Sequence, residues 1–410
     1  MNLDARELAA TFDLERLTPE FYADPYPTYR ALRETDPVKR LPNGSYFLTR
    51  YDDLVTAYKN TKAFSSDKKK EFSPKYGASP LYEHHTTSLV FNDPPAHTRV
   101  RHLIMGALSP RAIAGMEPDL IQLVDRLLDA IAAKEKVKGK VDLIDNFAAA
   151  IPIEVIGNLL DVPTDEREPL RDWSLAILGA LEPVVSSAAF ARGNTAVKDF
   201  LAYLEGLVAR RRAKPGDPQH DVLTRLIQGE ANGERLTEKE LLHNCIFLLN
   251  AGHETTTNLI GNGLVALSNH PAEKTRLIEN PALVRTAVEE MLRFESSNQL
   301  GNRMTVEPFE LGGIAMPPGT LVTLCIGAAN RDPAQFVDPE RFDIGRTPNR
   351  HLAFGTGAHQ CAGMALARLE GAIAISRFLA RFPEYALAGE PVRGGRVRFR
   401  GFLSVPCTVS

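Results

Sequence analysis

The sequence predicts a mainly α-helical fold with a small β-rich portion. Helical patterning carries most of that expectation: amphipathic runs dominate residues 111–214, and a further long run covers 236–270. The strand-like stretches are short and lie near residues 38–41, 45–49, 309–311, 320–324 and 397–409. At 410 residues with 44% apolar content, the chain can build one large core or two average ones.

Residues 1–16 mix Asp, Glu and Arg with apolar side chains and hold no long hydrophobic run, so neither a signal peptide nor a membrane anchor is expected. Asp24-Pro25-Tyr26-Pro27 opens a helical pattern to about Glu34. The next two strand-like runs are split by Pro42-Asn43-Gly44, a hairpin signal. A helix over 51–60 follows, and then residues 61–95 lose clear periodicity and carry Lys68-Lys69-Lys70, which reads as a solvated loop. Pro94 and Pro95 sit at the entry of a helix that carries His97 and Arg101 four residues apart on one face.

The helices of 111–214 break near Gly139, Val162-Pro163 and Glu182-Pro183, and Arg210-Arg211-Arg212 suits a helix end, where cations meet the dipole. Thr237 and Glu240 form a capping box for the long run over 236–270, which should be mostly buried. Its centre, Asn250-Ala251-Gly252-His253-Glu254-Thr255-Thr256-Thr257, weakens a helix, and Thr255 can bond back to the carbonyl of Ala251. Glu290 and Arg293 share a face of a helix over 281–294, a commonplace surface pair when taken alone.

A net charge of −3 argues against a nucleic-acid binder. The four cysteines, Cys245, Cys325, Cys361 and Cys407, lie far apart and form no Cys-x-x-Cys pair, so neither zinc nor a disulfide framework is suggested and a reducing cytoplasm fits best.

One cysteine stands in an unusual setting. Residues 351–363 read His-Leu-Ala-Phe-Gly-Thr-Gly-Ala-His-Gln-Cys-Ala-Gly and run into a helix-forming stretch. Glycines let the backbone turn closely around a flat cofactor, and a helix start beside Cys361 favours its thiolate. That is the chemistry of an axial haem ligand. Phe354, Gly357, His359, Cys361 and Gly363 together resemble the haem-binding signature Phe-x-x-Gly-x-His-x-Cys-x-Gly of the cytochrome P450 family.

The resemblance implies haem b as cofactor and Cys361 as the iron ligand, with Phe354 packed beside the sulfur and the backbone near Gly363 tuning it. Asp93-Pro94-Pro95-Ala96-His97 and Arg101 are similar to the family segment that holds the haem propionates, a role also implied for Arg303 and His351. Ala251-Gly252-His253-Glu254-Thr255 resembles the family's oxygen-binding motif. Ala251 and Gly252 would leave room for dioxygen, and Glu254 and Thr255 would relay protons. Glu290, Arg293 and Arg341 would form a buried clamp. The pocket would be walled by Leu89, Val90, Leu178, Leu181, Phe247, Leu248, Ser297, Asn298, Gln299, Leu300 and Phe402. The Lys68 to Lys70 loop would cover it and could attract an anion.

The implied protein is one haem domain over 1–410, with 1–23 as an N-terminal extension and no fused reductase. It resembles the bacterial, cytoplasmic, monomeric members that bind neither membrane nor nucleic acid. The implied activity is a monooxygenase that inserts one oxygen atom from O2 into a small or medium hydrophobic substrate, an aromatic carboxylate being one class, by hydroxylation or O-dealkylation. Electrons would come from NAD(P)H through a separate ferredoxin and ferredoxin reductase. The alternatives are a peroxide-dependent peroxygenase and a non-catalytic haem-thiolate sensor or binding protein.

Overall fold

The longest helix, Glu238–Asn269, is the axis of the molecule in a computed structural model that describes residues 4–218, 221–231 and 234–409. It starts at the expected capping box: Thr237 Oγ1 accepts the N–H of Glu240 at 3.2 Å, and the Glu240 carboxylate accepts the N–H of Thr237 at 2.9 Å. Helices Ala150–Leu159, Leu170–Gly179, Ser187–Ala213, Val284–Phe294 and Met364–Arg381 pack around it. Two glycines allow the closest approaches. A Cβ at Gly252 would collide with Ile156, and one at Gly263 would meet Met291 Sδ at 2.6 Å.

The β portion is small, as expected. Its largest sheet orders five strands as Val38–Arg40, Tyr46–Leu48, Leu321–Cys325, Leu300–Thr305 and Phe64–Ser65. The hairpin predicted across Pro42-Asn43-Gly44 forms, with Gly44 at φ +83°. Tyr46–Leu48 then pairs in parallel with Leu321–Cys325, which joins the N-terminal segment to the chain just before the cysteine loop. The tail differs from the expected strand pair: Phe402–Ser404 pairs with Val392–Arg393, whereas Pro406–Thr408 pairs with Ala386–Leu387 and Val141–Asp142.

Residues 61–95 are more ordered than their periodicity suggests. Helices Lys69–Tyr76 and Pro80–Thr87 form there, separated by Gly77 at φ +58° and capped by Ser79. Lys68 is buried and bonds Glu71 at 2.6 Å, so it is not part of a solvated run. The predicted cationic helix end at Arg210 to Arg212 carries ion pairs to Glu166, Asp221 and Glu238.

The largest hydrophobic cluster follows the long helix, a second lies on the five-stranded sheet around Leu48, Leu54 and Leu324, and a third joins the N-terminal helices through Phe12, Tyr29 and Phe47. Among the described residues no helix is long and apolar enough to cross a membrane.

Candidate functional site

The loop before helix Met364–Arg381 is shaped by left-handed glycines, Gly355 at φ +61° and Gly357 at φ +75°. A Cβ on Gly357 would also meet the carbonyl oxygen of Tyr58 at 2.7 Å, so glycine is required there twice over. The loop closes on itself where Cys361 N–H donates to the carbonyl of Phe354 at 2.9 Å. Cys361 is exposed, yet protein crowds around its thiol. Burial pushes its thiol up, while the Gly363 backbone N–H, Arg101 and Arg368 pull the other way. The helix start therefore does not ionise this thiol alone, whereas a coordinated metal cation would.

Four polar side chains gather near the loop. His97 is 3% exposed, neither of its ring nitrogens has a partner among the described residues, and its ring centroid lies 3.9 Å from that of His359. Arg101 Nη2 donates to the carbonyl of Gln360 at 2.7 Å. Arg303 is buried, donates to the carbonyl of Asn302 at 2.7 Å and lies 5.1 Å over the Tyr58 ring. Neither arginine meets a carboxylate among the described residues. Burial and then Arg101 hold His97 below the usual imidazole range, and burial, Arg303, His97 and Arg101 hold His359 at about 3. Two guanidiniums and an orphaned buried imidazole beside a thiol suit a ligand that brings carboxylates and a metal together, which is the donor set haem requires.

On the central helix, Ala251 is exposed and Thr255 half-buried, although both lie deep in the sequence of the longest helix. Thr255 Oγ1 donates to the Ala251 carbonyl at 2.8 Å, the expected back-bond. Glu254 Oε1 accepts from Arg396 Nη1 at 2.5 Å, while Oε2 has no partner among the described residues. Burial pushes this carboxyl up to about 7 against the pull of Arg396. Glu254 and Arg396 line a cavity together with Arg171, His253 and Asn258.

A profile of the family described as Cytochrome P450 matches residues 43–386. The chain belongs to the cytochrome P450 family. The biotin biosynthesis cytochrome P450 of Bacillus subtilis strain 168 is 37% identical over 372 residues, 90% of this chain and 92% of that protein. Cytochrome P450 monooxygenase PikC of Streptomyces venezuelae is 37% identical over 403 residues, 96% of this chain and 93% of that one. The crystal structure of P450BioI in complex with hexadec-9Z-enoic acid ligated acyl carrier protein matches with a TM-score of 0.89 and 36% identity, covering 95% of this chain and 100% of that one. The protein is thus a P450 monooxygenase with haem b as its cofactor, acting on small molecules with O2.

Several residues of this P450 stand elsewhere than the sequence suggested. Glu290 and Arg293 do form a fully buried pair, with Nε and Nη2 each 2.7 Å from a carboxylate oxygen. The third member is Arg346, whose Nε is 3.2 Å from both Glu290 oxygens. Arg341 gives only its carbonyl to Arg293 and Arg346, because the chain there curls with its carbonyls inward and the Arg341 side chain exposed. His351 is tied to Glu289 at 3.0 Å and to the N–H of Ala353 at 3.2 Å, so both ring nitrogens already have protein partners. At Gly252 the missing side chain is filled by Ile156 rather than left open, which leaves Ala251 as the small residue that keeps this surface clear.

Gln299 and Leu300 do not face a pocket. The Gln299 amide donates to the Ser296 carbonyl at 2.8 Å and to Tyr26 Oη at 3.4 Å, and Leu300 packs with Phe47, Cys325 and Ala328 under the N-terminal helices. Leu89 belongs to the main core and Leu178 is buried, whereas Phe402, also in that core, lines the cavity of Glu254 and Arg396. Val90, Leu181, Phe247, Leu248 and Asn298 are half-buried. Sequence reasoning missed Arg346, Glu289, Arg368 and Arg396. The run Arg393, Arg396, Arg398, Arg400 was the available signal for the last of these, since four arginines in eight tail residues need partners.

Proposed function

We propose that the protein inserts one oxygen atom from O2 into an unactivated bond of a small or medium-sized hydrophobic molecule. The observation that carries this is the gathering of Arg101, His97, His359 and Arg303 around Cys361, with neither arginine ion-paired to a carboxylate among the described residues. In this reading Cys361 would ligate the haem iron, Phe354 and the Gly363 backbone would support it, and His97, Arg101 and Arg303 would hold the propionates. Haem, when bound, supplies oxygen activation, to which thiolate donation contributes. Ala251 keeps the opposite wall clear, Thr255 holds a hydroxyl there, and Glu254 passes it protons from the cavity shared with Arg396. A carboxyl near 7 both gains and loses a proton readily at neutral pH, which favours this over a peroxide-driven reaction needing no such relay. We take the chain as one haem domain served by NAD(P)H through a separate ferredoxin and its reductase.

The hydrophobic walls are Val90, Leu181, Phe247 and Leu248. Lys68 is neutralised by Glu71 and cannot anchor an acid, whereas Ser297 Oγ and Asn298 Oδ1 lack partners and can meet a polar group. The fatty-acyl chain of the P450BioI complex supports fatty-acyl compounds as a class to try beside the aromatic acids.

The test uses the haem-loaded chain. The ferrous–CO spectrum should show the red-shifted thiolate band, Cys361→Ser should lose it, and product should form with NAD(P)H and a surrogate ferredoxin system. Survival of the band in Cys361→Ser removes Cys361 as ligand. The same holoenzyme, titrated with acids and their methyl esters and read by spin-state change, drops the acid class if the esters bind equally well or better.

A further inference from the structure

Three side chains that the haem contacts leave unused meet beside Phe354. Glu289, on helix Val284–Phe294, grips the Arg368 guanidinium with both carboxylate oxygens, at 2.6 Å to Nε and 2.9 Å to Nη2. Its Oε2 also meets His351 Nε2 at 3.0 Å. His351 Nδ1 in turn accepts the Ala353 N–H at 3.2 Å, so both ring nitrogens are held by protein partners. Arg368 lies 4.7 Å over the Phe354 ring, whose residue in turn accepts the Cys361 N–H at 2.9 Å. Two helices and the cysteine loop are thereby joined within a few side chains of the sulfur. Burial pushes the Glu289 carboxyl up, but the bonds from His351 and Arg368 win and hold it at about 2, so the Arg368 clamp stays charged.

We propose that Arg368 is a positioning residue whose cation, fixed by Glu289 and stacked on Phe354, sets how strongly Cys361 donates to haem iron and hence the reduction potential. The proposal rests on Cys361 being the ligand. The negative face of the Phe354 ring attracts the guanidinium and holds the ring against the loop. A positive charge near the sulfur stabilises charge on the thiolate and weakens its donation, which favours the reduced iron; the adjoining Glu289 carboxylate partly cancels this. Arg368 and Glu289 therefore act with opposite sign. A bond that only braced the fold would not distinguish its two ends.

Spectroelectrochemical titration of the haem-loaded full chain decides the matter with Arg368→Gln, Arg368→Lys and Glu289→Gln. Arg368→Gln should lower the midpoint potential, changing the ferric–ferrous equilibrium by about threefold or more, the scale expected of a partly screened charge. Glu289→Gln should raise it, and Arg368→Lys should stay near the parent. If the Gln variants shift it in the same direction, or neither shifts it, Arg368 is a packing residue and the proposal is overturned. Should Arg368→Gln fail to load haem, the proposal still requires Glu289→Gln to shift upward and Arg368→Lys to remain unmoved. The ferrous–CO band read on each sample separates the two ideas: absence of the thiolate band from the parent removes Cys361 as ligand, whereas a normal band with unmoved potentials removes only the tuning role.

Discussion

A buried carboxyl without an ion pair shows how single residues betray their environment here. Glu370, on helix Met364–Arg381, is 2% exposed and has one oxygen without a partner among the described residues. Burial pushes it up to about 8. The folded protein then keeps a proton that the unfolded chain, titrating near 4.5, gives up. Stability from this group is full below pH 4.5 and is lost as pH rises toward 8. Glu370→Gln should melt like the parent at pH 5 and be more stable at pH 8, by on the order of 2–4 kcal/mol. Parallel melting profiles from pH 5 to 8 would show that Glu370 is ionised in the fold. Glu254 is pushed up by the same cause but faces Arg396 and a cavity, which is what separates a group that can exchange protons from one that is merely enclosed. The sequence alone could not make that distinction, because the two differ only in what tertiary structure sets beside them.

At the scale of elements, legibility depended on whether the backbone or a distant side chain decides the outcome. The capping box of the long helix, the Pro42-Asn43-Gly44 turn and the Gly-rich cysteine loop were readable because local chemistry fixes each of them. The helices within 61–95 were not, since packing of Phe72, Tyr76 and Leu81 stabilises segments with weak patterning. Residues 297–300 do follow the Glu290 helix, but what their side chains meet depended on distant partners: Leu300 pairs with Cys325, and Asn298 bridges to Phe399. The clamp is the sharpest case. Arg341 and Arg346 stand five residues apart with no local mark to tell them apart, and only the curl of the chain chooses Arg346. Arg346→Ala should therefore cost about 3–5 kcal/mol by leaving the buried Glu290 and Arg293 pair incompletely compensated. Arg341→Ala, which removes an exposed side chain and keeps the carbonyl, should stay within about 0.5 kcal/mol of the parent. Denaturant unfolding of both variants checks the assignment, and equal losses would restore Arg341 to the clamp.

For the whole molecule, the proposed haem contacts come from four distant stretches, one each around His97, Ala251, Arg303 and Cys361, carried by two helices, the five-stranded sheet and the cysteine loop. The family motifs made that set legible, whereas the parallel pairing that brings Tyr46–Leu48 against Leu321–Cys325 has no local signal and became visible only in the fold. Joining these elements leaves Arg101 and Arg303 bonded to backbone carbonyls and, among the described residues, in no ion pair, a charge arrangement that costs stability until an anion arrives. Ligand binding to the folded state alone stabilises it by mass action, so haem should raise the melting temperature of the whole chain. The propionates should supply a distinct part of that gain. Loading the apoprotein with haem and, separately, with haem dimethyl ester isolates it, because the ester keeps the iron and the ring and removes the two charges. The ester form should keep the Cys361 spectrum yet melt several degrees lower, and the difference should shrink in Arg101→Leu, where one of the unpaired cations is gone. Equal melting temperatures for the two forms would mean that His97, Arg101 and Arg303 do not hold the propionates, and that their inward charge is balanced by something other than the cofactor.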